Sequence, residues 1–245
     1  MPFSADNMHR FFTTEIQPDT AVVRGDDVKH IAKVLRLHAG DRVQLCDGSG
    51  RECEASIRSV SSDAVVFDTE PWQDAQTEPR TKITLFQCLP KAGKMETIIQ
   101  KCVEIGVCGF VPVQSERCVV VLKPPYEGRI ERWQRVSEEA AKQSRRGVIP
   151  KVALPVTLDK LDFSGFDTVL APYENERTVS LKTALRVSCG TRVAVVIGPE
   201  GGFSDAEIAC LVEKGAVSVS LGPRILRTET AGMATAAQIL YEVEL

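Results

Sequence analysis

The sequence predicts an α/β protein with two domains, a small β-rich domain followed by a larger one built on a mostly parallel sheet. Three observations predict it. Alternating apolar and polar runs flank the turn Asp47-Gly48-Ser49-Gly50, which is typical of a β-hairpin. Residues 71–81 are polar, with a proline near each end, and are typical of a linker. Beyond the linker, strand patterns alternate with helical ones, which favours a parallel sheet covered on both faces.

The first domain is expected over residues 1–72. The hairpin spans residues 42–60, and a further strand is predicted at 64–70. One helix is predicted at 26–37, because Val28, Ile31, Ala32 and Leu35 fall on one helical face. Asp26 or Asp27 is expected to cap the start of that helix.

The second domain is expected over residues 80–245. Its strands are predicted at 82–89, 110–113, 167–172, 192–198 and 216–222. Its helices are predicted at 94–107, 126–146, 178–187, 204–215 and 230–244. The helix at 94–107 should bury Met95, Ile98, Ile99 and Cys102, and Gly106 is expected to end it.

Composition excludes several classes of protein. The 245 residues are 43% hydrophobic and 26% charged, as in ordinary globular proteins. No apolar run approaches the roughly 20 residues of a membrane span, and the N-terminus lacks the pattern of a secretory signal. The eight cysteines form no C-x-x-C pair and only three histidines are present, so we expect no metal site. We expect buried, reduced thiols and a cytoplasmic location.

Charge is unevenly distributed along the chain. The net charge of −3 divides into −6 over residues 1–79, +7 over residues 80–151 and −4 over the rest. A basic middle segment in an acidic protein indicates either a solvated face or a surface for a polyanion.

The stretch Gly198-Pro199-Glu200-Gly201-Gly202 is the most unusual in the chain. It lies between a strand and a helix whose start, Ser204-x-x-Glu207, has the pattern of a capping box. Ligands bind open α/β sheets at such strand ends. Two further loops, 221–232 and 170–174, follow other predicted strands, so the three could surround one small molecule with backbone groups. Tight structural turns are the alternative interpretation.

The loop chemistry narrows the class of ligand. Neither the G-x-G-x-x-G pattern of dinucleotide sites nor the G-K-[ST] of P-loops is present. Glu200 would repel a pyrophosphate and suits a neutral or cationic ligand. The residues therefore indicate a nucleoside-like cofactor without phosphates.

The stretches IGPEGGFSDAEI and LGPRILRTETA resemble the C-terminal signature of the RsmE family, which methylates uridine N3 in 16S ribosomal RNA. The segments at 8–12, 30–41, 94–118 and 138–150 are similar to further blocks of that family. The resemblance covers most of the chain, and the combination is highly specific. It implies the SPOUT fold with a deep trefoil knot in the second domain, a PUA-like RNA-binding barrel in the first, and a homodimer with sites at the subunit interface.

The resemblance also implies S-adenosylmethionine as the cofactor, whose positive sulfonium is compatible with Glu200. Residues expected to bind it lie in the three loops: Leu170, Ala171, Ile197, Gly198, Pro199, Glu200, Gly201, Gly202, Leu221, Gly222, Ile225, Leu226, Arg227, Thr230 and Ala231.

Methylation of uridine N3 requires removal of its proton, and the resulting charge spreads over the base oxygens. Arg227 is our preferred residue to stabilise that charge, with Arg224 as the other choice. Glu229 would orient Arg227 or take the proton, and Glu200 is the other nearby carboxylate. A purely structural ion pair between Arg227 and Glu229 is the alternative.

The basic segment is expected to dock 16S ribosomal RNA or the small ribosomal subunit through phosphate contacts. The residues chosen are Arg132, Arg135, Arg145 and Arg146 in that segment, with Arg10, Lys33 and Arg36 in the first domain. Phe11 and Phe12 beside Arg10 could stack on bases, although a core position is the commoner role of Phe.

Two other functions stay open from the sequence. A related knotted enzyme could act on another RNA base or a ribose hydroxyl, which would need no N3 deprotonation. A non-catalytic RNA-binding protein is the third reading, and the intact glycine loops argue against it.

Overall fold

The computed structural model describes residues 8–91, 93–187 and 189–244. The stretch 1–7, which begins the N-terminus interpreted above as non-secretory, lies outside the described residues. The chain divides into two compact units. The first comprises Met1–Glu78 and Ala141–Ile149, and the second comprises Pro79–Ala140 and Pro150–Leu245.

The first unit is built on one curled sheet of seven strands. These are β1 (Arg10–Phe12), β2 (Glu15–Gln17), β3 (Thr20–Arg24), β4 (Arg42–Cys46), β5 (Arg51–Val60), β6 (Ala64–Thr69) and β7 (Gln73–Asp74). Their order is β1-β4-β5-β6-β3-β2, with β7 on β5. All neighbours are antiparallel except β1 and β4. The hairpin β4–β5 is confirmed, whereas β1 to β3 and β7 were not predicted.

The predicted helix at 26–37 is present in a different form. A short helix α1 (Asp26–Lys29) continues as one wider π-helical segment, His30–Leu35. Val28 and Ile31 enter the core of the unit beside Phe11, Leu45 and Phe67. The predicted aspartate cap is wrong, because Gly25 occupies the N-cap position with φ of 75° and no side chain caps the helix. Only glycine adopts that conformation at little cost.

Residues 141–149 belong to the first unit, although the sequence placed them in the second domain. The reason is the buried carboxylate of Glu78, which accepts hydrogen bonds from Arg146 Nη2 (2.7 Å) and from the backbone N–H groups of Gly147 (2.9 Å) and Val148 (3.1 Å). Val148 also bridges to the hairpin turn at Gly48. These contacts hold the segment after the long helix against the N-terminal sheet.

The second unit contains a parallel sheet of seven strands. They are β8 (Lys82–Cys88), β9 (Gly109–Gln114), β10 (Lys151–Val152), β11 (Val156–Thr157), β12 (Thr168–Pro172), β13 (Arg192–Ile197) and β14 (Val217–Val219). The order is β10-β9-β8-β13-β12-β14, with β11 on β9. Every pairing is parallel, as predicted. Val193, Ala194, Val195 and Val196 of β13 are fully buried, which explains their unbroken apolar run.

The helices between these strands match the predictions to within a few residues. They are α2 (Lys94–Ile105), α3 (Glu127–Gln143), α4 (Leu181–Val187), α5 (Asp205–Glu213) and α6 (Thr228–Glu244). Met95, Ile98, Ile99 and Cys102 form the buried face of α2, and Gly106 ends it with φ of 121°. Helix α6 packs on α2 and α4. The last three residues of α3 belong to the first unit.

Three further features concern the cysteines, membrane-spanning helices and metal ligands. All eight cysteines are free thiols, and five of them are buried. Among the described residues, no helix is both long enough and apolar enough to cross a membrane. Within the same ranges, no three His, Cys, Asp or Glu side chains are grouped so as to hold a metal ion.

Candidate functional site

Three loops meet at the carboxyl edge of the parallel sheet. Strand β12 lies between β13 and β14, and all three run in the same direction. The loops that follow them, beginning at Tyr173, Gly198 and Ser220, therefore open on one edge, as the sequence predicted. They surround a cavity of about 460 Å³, which is the size of a small-molecule site.

Most of the predicted cofactor residues line this cavity. They are Ile197, Gly198, Pro199, Glu200, Gly202, Leu221, Gly222, Ile225, Leu226, Arg227 and Ala231. Arg224, expected only near the chemistry, also lines it. Pro172, Tyr173, Glu174, Pro223 and Thr228 line it too; they lie in the predicted loops 170–174 and 221–232 but were not chosen individually. The sequence analysis missed four lining residues outside those loops, which are Lys94, Arg177, Phe203 and Ser220. Their signal was weak, because they carry no glycine pattern of their own.

Four predicted residues do not line the cavity. Leu170 and Ala171 are fully buried inside β12, because that strand continues to Pro172 before the loop begins. The Gly201 carbonyl accepts a hydrogen bond from Arg117 Nη1 (2.9 Å), so this residue contacts Arg117. Thr230 lies in the first turn of α6, where its N–H donates to the Arg227 carbonyl (2.8 Å). For these four residues a contact with the cofactor stays a prediction that the cavity lining does not support.

The glycine loop is held in place from two sides. Arg117 Nη1 donates to the carbonyls of Gly201 (2.9 Å) and Phe203 (3.2 Å). On the other side, the Thr228 hydroxyl donates to the Gly198 carbonyl (2.6 Å) and accepts from Gln87 Nε2 (2.9 Å). The loop is therefore tied both to the β9–α3 connection and to the start of α6.

Gly202 is required by geometry. Its φ is 65°, and a Cβ added there would lie 2.1 Å from the Glu174 carboxylate. That conformation is unfavourable for residues with a side chain. The Glu174 carboxylate is the flexible end of its side chain and can move aside, so the positive φ is what favours glycine at this position. Helix α5 then begins with the predicted capping box, in which Ser204 and Glu207 exchange hydrogen bonds with each other's backbone N–H.

Lys94 joins the two carboxylates that the sequence singled out. Its Nζ lies 2.9 Å from Glu200 Oε1 and 3.1 Å from Glu229 Oε2. The hydrogen bond to Glu200, followed by that to Glu229, raises the pKa of Lys94, so the ammonium stays charged. Lys94 begins α2, Glu200 lies in the glycine loop and Glu229 lies in the first turn of α6. One side chain thus connects three elements of the site.

Both carboxylates are held in the ionised form. Partial burial acts to raise the pKa of Glu200, but Lys94 and the backbone N–H groups of Glu200 and Lys91 outweigh it, and the pKa is lowered. The pKa of Glu229 is lowered by its own backbone N–H, despite some burial, and then by Lys94 and the charge of Arg227. A carboxylate with a lowered pKa is a weaker base.

The predicted RNA-binding residues separate into two groups. Lys33, Arg36, Arg135 and Arg145 are exposed, and the Arg132 side chain is 70% exposed while it pairs with Glu96 (3.0 Å). Arg10 and Arg146 are engaged internally. The Arg10 guanidinium contacts Glu52 (2.8 Å), and the Arg146 side chain is 3% exposed and pairs with Glu78 (2.7 Å). These two are removed from the set because neither is available to a phosphate. Phe11 is in the core, which excludes it from base stacking.

Comparisons with known proteins agree on one family. Residues 77–240 match a family model described as an RNA methyltransferase domain, and residues 23–70 match one described as an RNA methyltransferase PUA domain. The chain is 36% identical over 234 residues to ribosomal RNA small subunit methyltransferase E of Bacillus subtilis, covering 92% of this chain and 91% of that protein. It is 34% identical over 225 residues to the Synechocystis protein of the same name, covering 90% of this chain and 72% of that protein.

Solved structures show the same relationship. A crystal structure of ribosomal RNA small subunit methyltransferase E from Neisseria gonorrhoeae bound to S-adenosyl methionine is 30% identical, with a TM-score of 0.84. That similarity covers 96% of this chain and 98% of the other. A methyltransferase from Legionella pneumophila in complex with the same cofactor is 29% identical, with a TM-score of 0.78 and the same coverage.

Proposed function

Because the chain belongs to the ribosomal RNA small subunit methyltransferase E family, we propose that it methylates 16S ribosomal RNA with S-adenosylmethionine as the methyl donor, at N3 of a uridine. The observation that carries this proposal is the cavity at the carboxyl edge of β12, β13 and β14, where three loops meet and Gly198, Gly202 and Gly222 form part of the lining. When bound, the cofactor supplies an electrophilic methyl group.

The residues present fit that cofactor. Ile197, Leu221 and Leu226 give the cavity apolar walls for an adenine ring, and Gly198 and Gly222 leave backbone accessible. The sequence assigned the positive sulfonium to Glu200, but Lys94 already neutralises that carboxylate. Glu174 also lines the cavity and, within the described part of the chain, makes no ion pair. We assign Glu174 to the cationic part of the cofactor in place of Glu200.

Arg227 is the proposed catalytic residue. It lines the cavity, and its guanidinium can donate to a base oxygen on which negative charge develops when uridine N3 loses its proton. Glu229 lies two residues further along the chain, and its pKa is lowered by its own backbone N–H, then by Lys94 and by the charge of Arg227. The lowered pKa values of Glu229 and Glu200 favour an orienting role for both, with the N3 proton leaving to solvent.

The first unit is proposed to dock the RNA, since a PUA domain model matches residues 23–70. Lys33, Arg36 and Arg145 in this unit, and Arg132 and Arg135 in the second, are the proposed phosphate contacts. We also propose that the second unit carries the trefoil knot and that the protein is a homodimer. Ile225 supports the dimer, because this large apolar side chain at the cavity is 84% exposed in the single chain.

Methyl transfer to RNA from cells that lack this protein tests the function. We expect purified protein to transfer labelled methyl groups to 16S ribosomal RNA or small subunits, and nucleoside mass spectrometry to find 3-methyluridine. A methylated ribose or a different base would instead support the related-enzyme alternative. Calorimetry with S-adenosylmethionine provides the second measurement, because a protein that binds RNA but no cofactor would be a non-catalytic binding protein.

A further inference from the structure

More cationic than anionic side chains line the cavity. Lys94, Arg177, Arg224 and Arg227 line it, against the carboxylates of Glu174 and Glu200. Lys94 pairs with Glu200 and Glu229, and Arg227 interacts with Glu229. Arg177 and Arg224 are exposed, and neither makes an ion pair or side-chain hydrogen bond among the described residues. Two guanidinium groups at the cavity therefore lack an assigned role.

The backbone holds the loops that carry these two arginines side by side. Arg177 follows β12 and Arg224 follows β14, which are neighbouring strands. Tyr173 N–H donates to the Val219 carbonyl (3.0 Å), and Ser220 N–H donates to the Val179 carbonyl (2.8 Å). The loop with Arg177 thus leaves and returns beside the start of the loop with Arg224.

The loop around Arg177 is also ordered internally. Glu176 accepts hydrogen bonds from the backbone N–H groups of Thr178 (2.7 Å) and Val179 (3.1 Å). The hydrogen bond from the Thr178 hydroxyl, followed by these two, lowers the pKa of Glu176 to about 2, so the carboxylate keeps this role at physiological pH. Arg177 is therefore presented from a defined turn.

S-adenosylmethionine and a substrate nucleotide differ in the number of cations that their negative groups would bind. S-adenosylmethionine carries no phosphate, and its single carboxylate requires at most one cation. A nucleotide that leaves its stack to reach the cavity carries a phosphate on each side. Arginine matches phosphate with a planar pair of donors, and phosphate contacts fix the position of a nucleic acid without reading its sequence.

We propose that Arg177 and Arg224 bind the two phosphates that flank the methylated nucleotide, and so position it over the cavity. The proposal rests on the proposed function and adds the path of the RNA strand across the loops after β12 and β14. Both arginines act as positioning residues in binding, whereas Arg227 contacts the reacting base.

The test compares Arg177→Gln, Arg224→Gln and the double variant with wild type. Each phosphate contact that is lost should reduce the slope of log affinity for 16S ribosomal RNA against log salt by about 0.7. We expect KM for RNA to rise in each variant, with kcat at saturating RNA and the calorimetric affinity for S-adenosylmethionine unchanged. Arg177→Lys and Arg224→Lys should restore the salt slope, because lysine also binds phosphate.

Lys160→Gln is the matched control, since Lys160 is an exposed cation of the same unit outside the cavity. Salt slopes in both arginine variants equal to that of the control would overturn the proposal. A loss confined to cofactor affinity would also overturn it and would place the arginines at the cofactor carboxylate. A change in molar mass by light scattering would overturn it as well and would place them at a subunit interface. The site of methylation by wild type is mapped in parallel. A product other than 3-methyluridine with reduced slopes would refute the proposed base and keep this inference.

Discussion

The cavity loops and the basic segment at residues 80–151 are proposed to bind their ligands by different means. The cavity lies at the ends of β12, β13 and β14, and Gly198, Gly202, Gly222, Pro199 and Pro223 are among the residues that line it. The basic segment consists of side chains whose availability depends on nearby carboxylates. Arg135 is exposed, whereas Arg146 is buried against Glu78. The position of a loop rich in glycine and proline follows from the local sequence, whereas the availability of a charged side chain depends on its tertiary partners.

The largest effect should come from breaking the buried pair in the basic segment. Removing one partner of a buried ion pair leaves an uncompensated charge and typically costs about 3–5 kcal/mol. Arg146→Ala should destabilise the first unit by that amount in urea unfolding. An exposed cation of the same unit provides the control, because Lys33→Ala should change stability by less than about 0.5 kcal/mol. Equal losses of stability in the two variants would mean that burial of the ion pair does not increase its contribution to stability.

The same pair predicts a pH dependence. Burial acts to raise the pKa of Glu78, but Arg146 and the N–H groups of Val148 and Gly147 outweigh it and lower the pKa. A carboxylate with a lowered folded-state pKa stabilises the fold above its unfolded pKa, and this stability is lost as pH falls through the folded value. Acid unfolding of wild type should show this loss, and Arg146→Ala should show less of it.

The next largest effect is expected on turnover, from substitution of Arg227, which lines the cavity. Arg227→Lys keeps a charge but loses the planar pair of donors. Loss of one charge-stabilising donor typically reduces turnover by roughly 10² to 10³. Higher pH should partly restore the rate, because hydroxide then supplies more of the uridine anion. Single-turnover methyl transfer across a pH series measures this. A defect explained entirely by weaker cofactor binding would assign Arg227 to the cofactor pocket only.

Gly202 tests whether the backbone geometry of the cavity matters for the cofactor. Gly202→Ala introduces a Cβ at φ of 65°, 2.1 Å from the Glu174 carboxylate. Left-handed strain costs about 1–2 kcal/mol. A loop that moves to relieve this strain must regain the binding geometry at that cost, so affinity for S-adenosylmethionine should fall roughly 5- to 30-fold. Gly165→Ala is the control, since nothing lies within 4 Å of an added Cβ there. Wild-type affinity in the Gly202 variant would show that the loop adjusts without cost.

These cases also explain what the sequence could and could not predict. The parallel sheet, helix α2 and the loop at Gly198 follow from local periodicity and from glycine and proline. The π-helical segment at His30–Leu35 and the short strands β1 to β3 depend on tertiary packing and were missed. Lys94 was missed for the same reason, because Glu200 and Glu229, which it joins, are distant in sequence. Arg10 and Arg146 were misjudged because their partners Glu52 and Glu78 are only recognisable in the fold.

The smallest effect should separate two exposed arginines on helix α3. Arg132 pairs with Glu96 at 3.0 Å, whereas Arg135, also exposed, makes no ion pair among the described residues. An exposed pair contributes little, about 0–1 kcal/mol, yet it must be broken before Arg132 can bind a phosphate. Arg135→Gln should therefore reduce the salt slope of RNA binding by about 0.7–0.9, and Arg132→Gln by less.

Glu96→Gln removes the competing carboxylate, so it should strengthen RNA binding slightly in wild type and have no effect in Arg132→Gln. The slopes are measured by titration of 16S ribosomal RNA at several salt concentrations, and a larger loss from Arg132 than from Arg135 would show that local carboxylates do not decide which cations reach the RNA.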